Sequence, residues 1–254
     1  MRLPGFEPKD KDGSGSEERK KHPGHQAVLR HLAEKEKDDP LIRPQVTAGI
    51  VFDLYVKILG RDGGRVRIED LIGALASIGG YLCVLGVMIQ LKVKGMTPQQ
   101  IGMVDVLGKD SHHYFFGDEP NRLLIESPTS LLSLVLGAAK SHDAPVTLEM
   151  VHEVMKRTAK RAGTEEFGRL DTIPEPHRPS MSPFEWVRHS RNNMLDALYL
   201  YDVPPLVAPS VAGFALQRAI DEGRSVLNPM MAARIAIECA VPMAKVDPAR
   251  FDMA

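Results

Sequence analysis

The sequence predicts a mostly α-helical single domain built around a buried central helix near residues 68–93, with one small β-hairpin near 104–116. Three observations support this prediction. The chain has 254 residues, of which 43% are hydrophobic, enough to bury a substantial core. Residues 71–91 carry no charged side chain. A helix-capping residue followed by proline, a pattern typical of helix starts, occurs six times.

The first 40 residues carry many charges, with nine basic and nine acidic side chains among Gly, Ser and Pro. Such a segment has little to bury, so we expect a disordered, charged N-terminal arm over residues 1–40. Only residues 25–36 could form a short helix, with Val28, Leu29 and Leu32 on one side. No apolar stretch follows the first basic residue, so we expect no secretory signal peptide.

The capping pairs mark where helices start. The capping side chain accepts a hydrogen bond from a first-turn amide, and proline loses nothing at the first helical position. The six pairs are Asp39-Pro40, Thr97-Pro98, Ser127-Pro128, Ser182-Pro183, Asn228-Pro229 and Asp247-Pro248. Gln100 and Glu185 complete capping boxes with Thr97 and Ser182. With the apolar spacing, these signals predict helices near 44–60, 68–93, 98–103, 128–140, 148–162, 183–201, 209–222 and 229–244.

Between 104 and 116 the sequence changes to a strand pattern. The segments VDVL and HHYFF flank the turn-forming GKDS, which predicts a hairpin. Further along, residues 164–182 contain Pro174, Pro176 and Pro179 and little to bury. We expect a long loop there, inside the helical domain 41–254, where it could mark an internal boundary.

The uncharged run 71–91 is long enough to cross a bilayer, so a single-span membrane protein is one alternative. Basic residues lie on both sides of the run, which leaves a membrane orientation poorly specified. The other predicted helices have apolar stripes that need a partner, and a helix that is apolar on every side is typical of a central core element. We therefore expect a core helix and no membrane association.

The overall charge excludes a general polyanion binder. The formal net charge is −1, from 32 basic and 33 acidic residues, so no global field attracts nucleic acid. Cys83 and Cys239 are the two cysteines, each within an apolar helical pattern. This indicates buried free thiols in a reducing compartment, and we expect a cytoplasmic protein.

The most distinctive local sequence is YFFGDEPNRLL, residues 114–124. Asp118 and Asn121 can fold back onto backbone amides and stabilise a turn after Gly117, which explains them structurally. The functional alternative is a ligand pocket in which Asp118, Asn121 and Arg122 lie beside Tyr114, because loops on a rigid scaffold often carry binding sites.

A second cluster consists of Asp110, His112, His113, Asp118 and Glu119, whose side chains suit zinc binding or acid–base chemistry. Adjacent residues of a strand point to opposite faces, so at most one of the two histidines could serve such a site. The catalytic candidates are therefore His113 and Asp118.

Other constellations are incomplete. Glu149 and His152 have the E-x-x-H spacing of dimetal helical bundles, but the chain has no second such pair, and Glu185 with His189 has the wrong spacing. Phosphate-binding, dinucleotide-binding, zinc-protease and serine-hydrolase motifs do not occur. We predict neither a metal site nor a cofactor.

Three segments together resemble a family of bacterial proteins of unknown function. They are the hairpin leading into Tyr114-Phe-Phe-Gly-Asp-x-x-Asn121, the run from Ser130 to Ala139, and the segment Val241-Pro-Met-Ala-Lys-Val-Asp247. The resemblance covers about residues 42–248 and implies a bacterial cytosolic domain. It implies no activity and no catalytic residues.

Two function classes remain. The first is a soluble binding or assembly protein without a catalytic constellation, expected to form a homo-oligomer, most simply a homodimer, because its apolar helix faces exceed what one subunit can bury. The second is an enzyme of unrecognised type that uses the hairpin and the turn after it, with an unidentified small-molecule ligand.

Overall fold

A computed structural model describes residues 15–60 and 65–251, and within them the fold is mostly α-helical with one antiparallel hairpin, as predicted. The helices are α1 (Gly15–Lys21), α2 (Pro23–Lys35), α3 (Ile42–Leu59), α4 (Ile68–Lys94), α5 (Asp118–Asn121), α6 (Leu131–Lys140), α7 (Leu148–Arg161), α8 (Pro183–Leu200), α9 (Ala208–Gly223) and α10 (Pro229–Met243). The strands are β1 (Val104–Leu107) and β2 (His113–Phe116). Short 3-10 helices occupy Pro98–Ile101, Glu175–His177 and Pro248–Phe251.

Helix α4 is the centre of the core, packed against α8, α9 and α10. Small residues on α4 allow these close approaches. A Cβ added at Gly80 would lie 2.1 Å from the carbonyl oxygen of Ala240 in α10, and one at Gly86 would lie 2.6 Å from that of Pro205. The predicted central helix is therefore confirmed, and the neighbouring backbones approach it where a side chain would not fit.

Two helical stretches of the described residues are long and apolar enough to cross a membrane, Ile68–Lys94 and Asp118–Lys140. In the first, 89% of the most apolar window is buried inside the protein, against 56% in the second. The apolar surface of α4 is thus covered by the chain's own helices, as expected of a core helix.

The N-terminal region differs from the predicted arm, because residues 15–35 form α1 and α2. Helix α2 buries Leu29 and Leu32 of the short helix considered from the sequence, whereas Val28, expected on the same side, is exposed. Lys20 Nζ donates to Tyr199 O at 3.0 Å, and His25 Nε2 donates to Leu200 O at 2.8 Å. The C-terminal carbonyls of α8 thus receive the donors that they lack within the helix. Residues 1–14 lie outside the described part of the chain.

The predicted helix starts are largely confirmed. Ser182 and Glu185 form their capping box, and the Asn228 and Asp247 side chains accept from the amides of Met230 and Ala249 at 2.8 and 2.9 Å. Two pairs behave differently. Asp39 accepts from the Leu41 amide in a turn, so α3 starts at Ile42. The Ser127 pair lies in a turn, and Ser130 precedes α6.

The segment after the hairpin is more helical than predicted. In place of a simple turn, it forms α5 and a π-helical turn over Arg122–Glu126, which ends at Ser127. The π turn buries Leu123, Leu124 and Ile125 in sequence. The wider turn brings three consecutive apolar side chains into the core, whereas the sequence pattern suggested a loop.

The proline-rich loop 164–182 packs on the N-terminal part of α4. A Cβ added at Gly73 would lie 2.8 Å from Pro179, and the Ser180 amide donates to Asp70 at 2.6 Å. Ile173 belongs to the same hydrophobic core cluster as α4. Few residues of this loop have regular secondary structure, yet specific contacts hold the loop against α4.

Candidate functional site at the hairpin

The turn of the hairpin packs closely against the segment that follows α7. The Gly108 amide donates to His112 O at 2.8 Å and closes the turn. A Cβ added at Gly108 would lie 2.6 Å from the Cα of Gly163, which lies two residues after the end of α7 and has a φ of +74°. Two glycines thus let the turn and the helix end meet backbone to backbone.

A third backbone segment, residues 245–247, borders β2 on the side away from β1. The Phe115 amide donates to Lys245 O at 2.7 Å, and the Asp247 amide donates to His113 O at 3.2 Å. Tyr114 forms an isolated bridge with Val246 between these two bonds. Strand β2 is therefore paired on both edges, and β1 is the edge strand.

Tyr114, one of the predicted ligand-binding residues, is fully buried. Its hydroxyl donates to Asp110 Oδ2 at 2.8 Å, and Arg250 donates to both groups at 3.0 and 3.1 Å. Burial and the bond to Asp110 raise the pKa of Tyr114. Desolvation opposes ionisation of Asp110, but the hydrogen bonds from Tyr114 and the His112 amide and the charge of Arg250 lower its pKa. These groups join the hairpin to the C-terminal 3-10 helix.

Asn121, another predicted ligand-binding residue, accepts a 2.5 Å hydrogen bond from Lys245 Nζ. Lys245 is only 2% exposed, and burial lowers its pKa to about 8, although the charges of Cys83 and Glu126 act in the opposite direction. Burial likewise raises the pKa of the Cys83 thiol to about 12. The lysine amine is thus held in a poorly solvated place behind the hairpin.

The remaining predicted residues lie at the surface. His113 is exposed and donates from Nδ1 to Asp105 at 2.7 Å, a bond that raises the pKa of His113. Asp118 is exposed at the start of α5, and Arg122 pairs with Glu119 at 2.8 Å. Tyr114 thus contacts Asp110 and Arg250, and Asn121 contacts Lys245. His113, Asp118 and Arg122 lie at the surface, apart from these two groups.

Lys245 and Arg250 were not predicted from the sequence as partners of these residues. Lys245 follows the apolar α10 pattern directly, and a charge at the end of a buried run is a signal that could have suggested a buried polar contact. Arg250 has no such signal, because its role depends on where the last turn returns to the hairpin.

A largely buried ion pair joins α7 and α10, away from the hairpin. The Glu238 carboxylate is 2% exposed and accepts from Arg157 at 2.5 Å and from the Thr172 hydroxyl at 2.6 Å. A cavity of about 40 Å³ beside it is lined by Arg157, Arg234, Thr172 and Glu238, among others. A larger open groove of about 410 Å³ lies between α2 and the start of α3.

The incomplete constellations stay apart. Glu149 and His152 are both exposed on α7. The Glu185 side chain caps α8, while His189 bonds the Glu185 backbone oxygen at 2.8 Å. Among the described residues, no group of three or more His, Cys, Asp or Glu side chains could hold a metal ion.

Strand β1 is the exposed strand of the hairpin. All four residues are exposed, with exposed fractions of 57% for Val104, 37% for Val106 and 64% for Leu107. Within residues 15–60 and 65–251, no backbone hydrogen bond reaches its outer edge. A flat apolar edge with free backbone groups is a template for another strand.

A scan against protein-family models, a search of curated proteins and a search of solved structures returned no match to this chain. This agrees with the resemblance to proteins of unknown function, and bacterial origin stays a prediction.

Proposed function

We propose that this protein is a soluble, non-catalytic assembly protein of the cytoplasm, which self-associates as a homodimer through the outer edge of β1. The single observation that carries the proposal is the exposed strand Val104–Leu107, which presents three apolar side chains and a backbone edge that no residue of 15–60 or 65–251 pairs with. Natural sheet proteins normally protect such an edge with charge, proline or a covering element. Here a second chain would cover it.

The non-catalytic part is supported by how the candidate residues are used. Tyr114 and Asn121 complete internal contacts with Asp110 and Lys245. His113 is engaged with Asp105 across the hairpin. These contacts stabilise the hairpin and hold β1 in position. The polar side chains therefore have a structural role, which keeps the edge of β1 exposed. The solubility part is supported by the burial of α4 within the chain's own helices.

Sedimentation velocity over a wide concentration series tests the proposal. We expect the untagged protein to shift from monomer to dimer as concentration rises. Val106→Lys places a charge in the centre of the edge, and we expect it to remain monomeric, because lysines protect natural edge strands. Val226→Lys is the matched control, since Val226 is 80% exposed and lies outside β1. A protein that is monomeric at every concentration would overturn the proposal.

A further inference from the structure

The hydrogen bonds of β2 determine which backbone groups β1 leaves free. The Phe115 amide and the His113 carbonyl both bond the 245–247 segment, so they point away from β1. In an antiparallel ladder such groups alternate, and Tyr114 and Phe116 therefore direct theirs toward β1. Their partners in the register are Val106 and Val104. The outer edge is thus formed by the amides and carbonyls of Asp105 and Leu107.

These four groups are spaced so that a second copy of the same strand can satisfy them. In an antiparallel pair centred on Val106, Asp105 of one copy lies opposite Leu107 of the other, and each exchanges an N–H and a C=O with its partner. A two-fold axis perpendicular to the sheet produces this arrangement and gives the same contact from both sides. All four outer groups of each strand are then paired.

Charge favours this register over the nearest alternative. A pair centred on Asp105 would place the two Asp105 carboxylates directly opposite each other, which is destabilising. In the pair centred on Val106, each carboxylate faces a leucine and keeps its own 2.7 Å contact with His113. Val106 faces Val106 of the second copy on the other side of the sheet. The register centred on Val106 thus pairs the outer backbone groups without placing like charges opposite each other.

We propose that two copies of this chain pair antiparallel through β1 with Val106 on the two-fold axis, which joins their hairpins into one sheet. This inference rests on the proposed self-association and specifies its register. A strand pair of four residues falls short of the roughly 1,000 Å² that persistent interfaces bury, so the dimer dissociates on dilution.

Disulfide trapping tests the register. Residues that face each other in a non-hydrogen-bonded pair have Cα atoms about 4.5 Å apart, within disulfide range. We therefore expect Val106→Cys to form a covalent dimer under mild oxidation. The two copies of residue 104 would lie roughly 13 Å apart along the strands, so Val104→Cys should not cross-link. The native Cys83 and Cys239 are buried, and burial raises the pKa of both thiols to about 12, which keeps them unreactive.

Val226→Cys reports cross-linking by random collision, since its side chain is exposed outside β1. A covalent dimer with Val106→Cys alone supports the register. If sedimentation shows a dimer but Val106→Cys cross-links no faster than Val226→Cys, the register is overturned while the proposed self-association stands. If no dimer forms at any concentration, both fail.

Amide hydrogen exchange gives a second readout. It uses the unsubstituted protein, so it does not depend on whether a variant folds. The Val104 and Val106 amides bond β2 within one chain, so their protection should not depend on concentration. The Asp105 and Leu107 amides should exchange rapidly in the monomer and slow down as the dimer forms. Concentration-independent exchange of these two amides in a sample that sediments as a dimer would contradict pairing through β1.

Discussion

Helix α4 and strand β1 are both apolar, yet they have opposite environments. Leu75 on α4 is fully buried, whereas Leu107 on β1 is 64% exposed. A helix satisfies its backbone groups internally, so side chains from neighbouring helices can enclose α4 on every side. A strand needs a partner at each edge, and in the part of the chain that the structure describes β1 has one on a single side. Burial in this protein thus depends on where backbone hydrogen bonds are completed as much as on apolar composition.

The closeness of packing around α4 predicts the largest effect. Gly80→Ala would put a Cβ 2.1 Å from the Ala240 carbonyl, which cannot move aside without shifting α10. We expect a loss of about 3 kcal/mol or more in the free energy of unfolding, measured by denaturant titration. Gly49→Ala on α3 is the control, because nothing lies within 4 Å of its added Cβ. It should stabilise by about 0.5–1 kcal/mol, and equal losses in both variants would refute the packing argument.

Lys245 lies between the two regions, buried behind the hairpin, and should make stability depend on pH. Its pKa is about 8 in the folded protein, below the ordinary value of 10.5. Between these values the unfolded chain binds more protons, so stability rises with pH, and below pH 8 the full cost of the buried charge remains. That cost is about 3 kcal/mol.

Comparison with Lys245→Met isolates this effect. The variant also leaves Asn121 without its donor, so the informative quantity is the change with pH of the stability difference between the two proteins. From pH 7.5 to pH 10 the free energy of unfolding of the unsubstituted protein should rise by about 2 kcal/mol relative to that of the variant. Lys92→Met, at an exposed position on α4, should show no such gain. A constant difference for Lys245→Met would mean that the amine is well solvated in the folded protein.

The ion pair between α7 and α10 tests whether buried polar groups near α4 matter as much as close packing. Arg157→Met leaves the Glu238 carboxylate with Thr172 as its remaining donor. We expect a loss of about 2 kcal/mol, less than for a fully buried pair because Arg157 is 25% exposed. Arg122→Met removes an exposed pair with Glu119 and should change stability by under about 0.5 kcal/mol. If chemical denaturation gives similarly small losses of stability for Arg157→Met and Arg122→Met, the Glu238 carboxylate is hydrated.

The edge strand predicts the smallest effect on stability. Leu107→Lys should alter the free energy of unfolding by no more than about 0.5 kcal/mol, because Leu107 is 64% exposed. In the proposed dimer the new lysine faces Asp105 of the second copy, so sedimentation should show a retained dimer that weakens with salt. Leu107→Glu would face the same carboxylate and should dissociate the dimer. Equal behaviour of the two variants would contradict the proposed register.

Local signals explain why much of the fold was predictable. The capping box of Ser182 with Glu185 and the pair Asn228-Pro229 each act within one helical turn. For this reason α8 and α10 start where the sequence indicates. The absence of charge over residues 71–91 likewise indicated the central helix. The prediction was weaker where an element depends on distant contacts. The π turn over Arg122–Glu126 forms because its three leucine and isoleucine side chains reach the core.

The candidate site was less predictable than the fold. The sequence grouped Tyr114, Asp118, Asn121 and Arg122 because they are adjacent, but the structure gives Tyr114 and Asn121 different partners. Asn121 bonds Lys245 across 124 positions of sequence, and Tyr114 bonds Arg250 across 136. Residue types and spacing indicate what chemistry a segment could perform, and they do not encode which distant side chain will meet it.

By itself, the sequence determined the helical class, the positions of most helix ends and the presence of a hairpin, because periodicity and capping are local. Only the tertiary structure decided that α1 and α2 pack on the end of α8, that Lys245 is buried against Asn121, and that no other described residue pairs with the outer edge of β1. These features depend on where the chain returns in space, since a hydrogen bond or a buried charge is stabilised by whichever groups the fold places beside it.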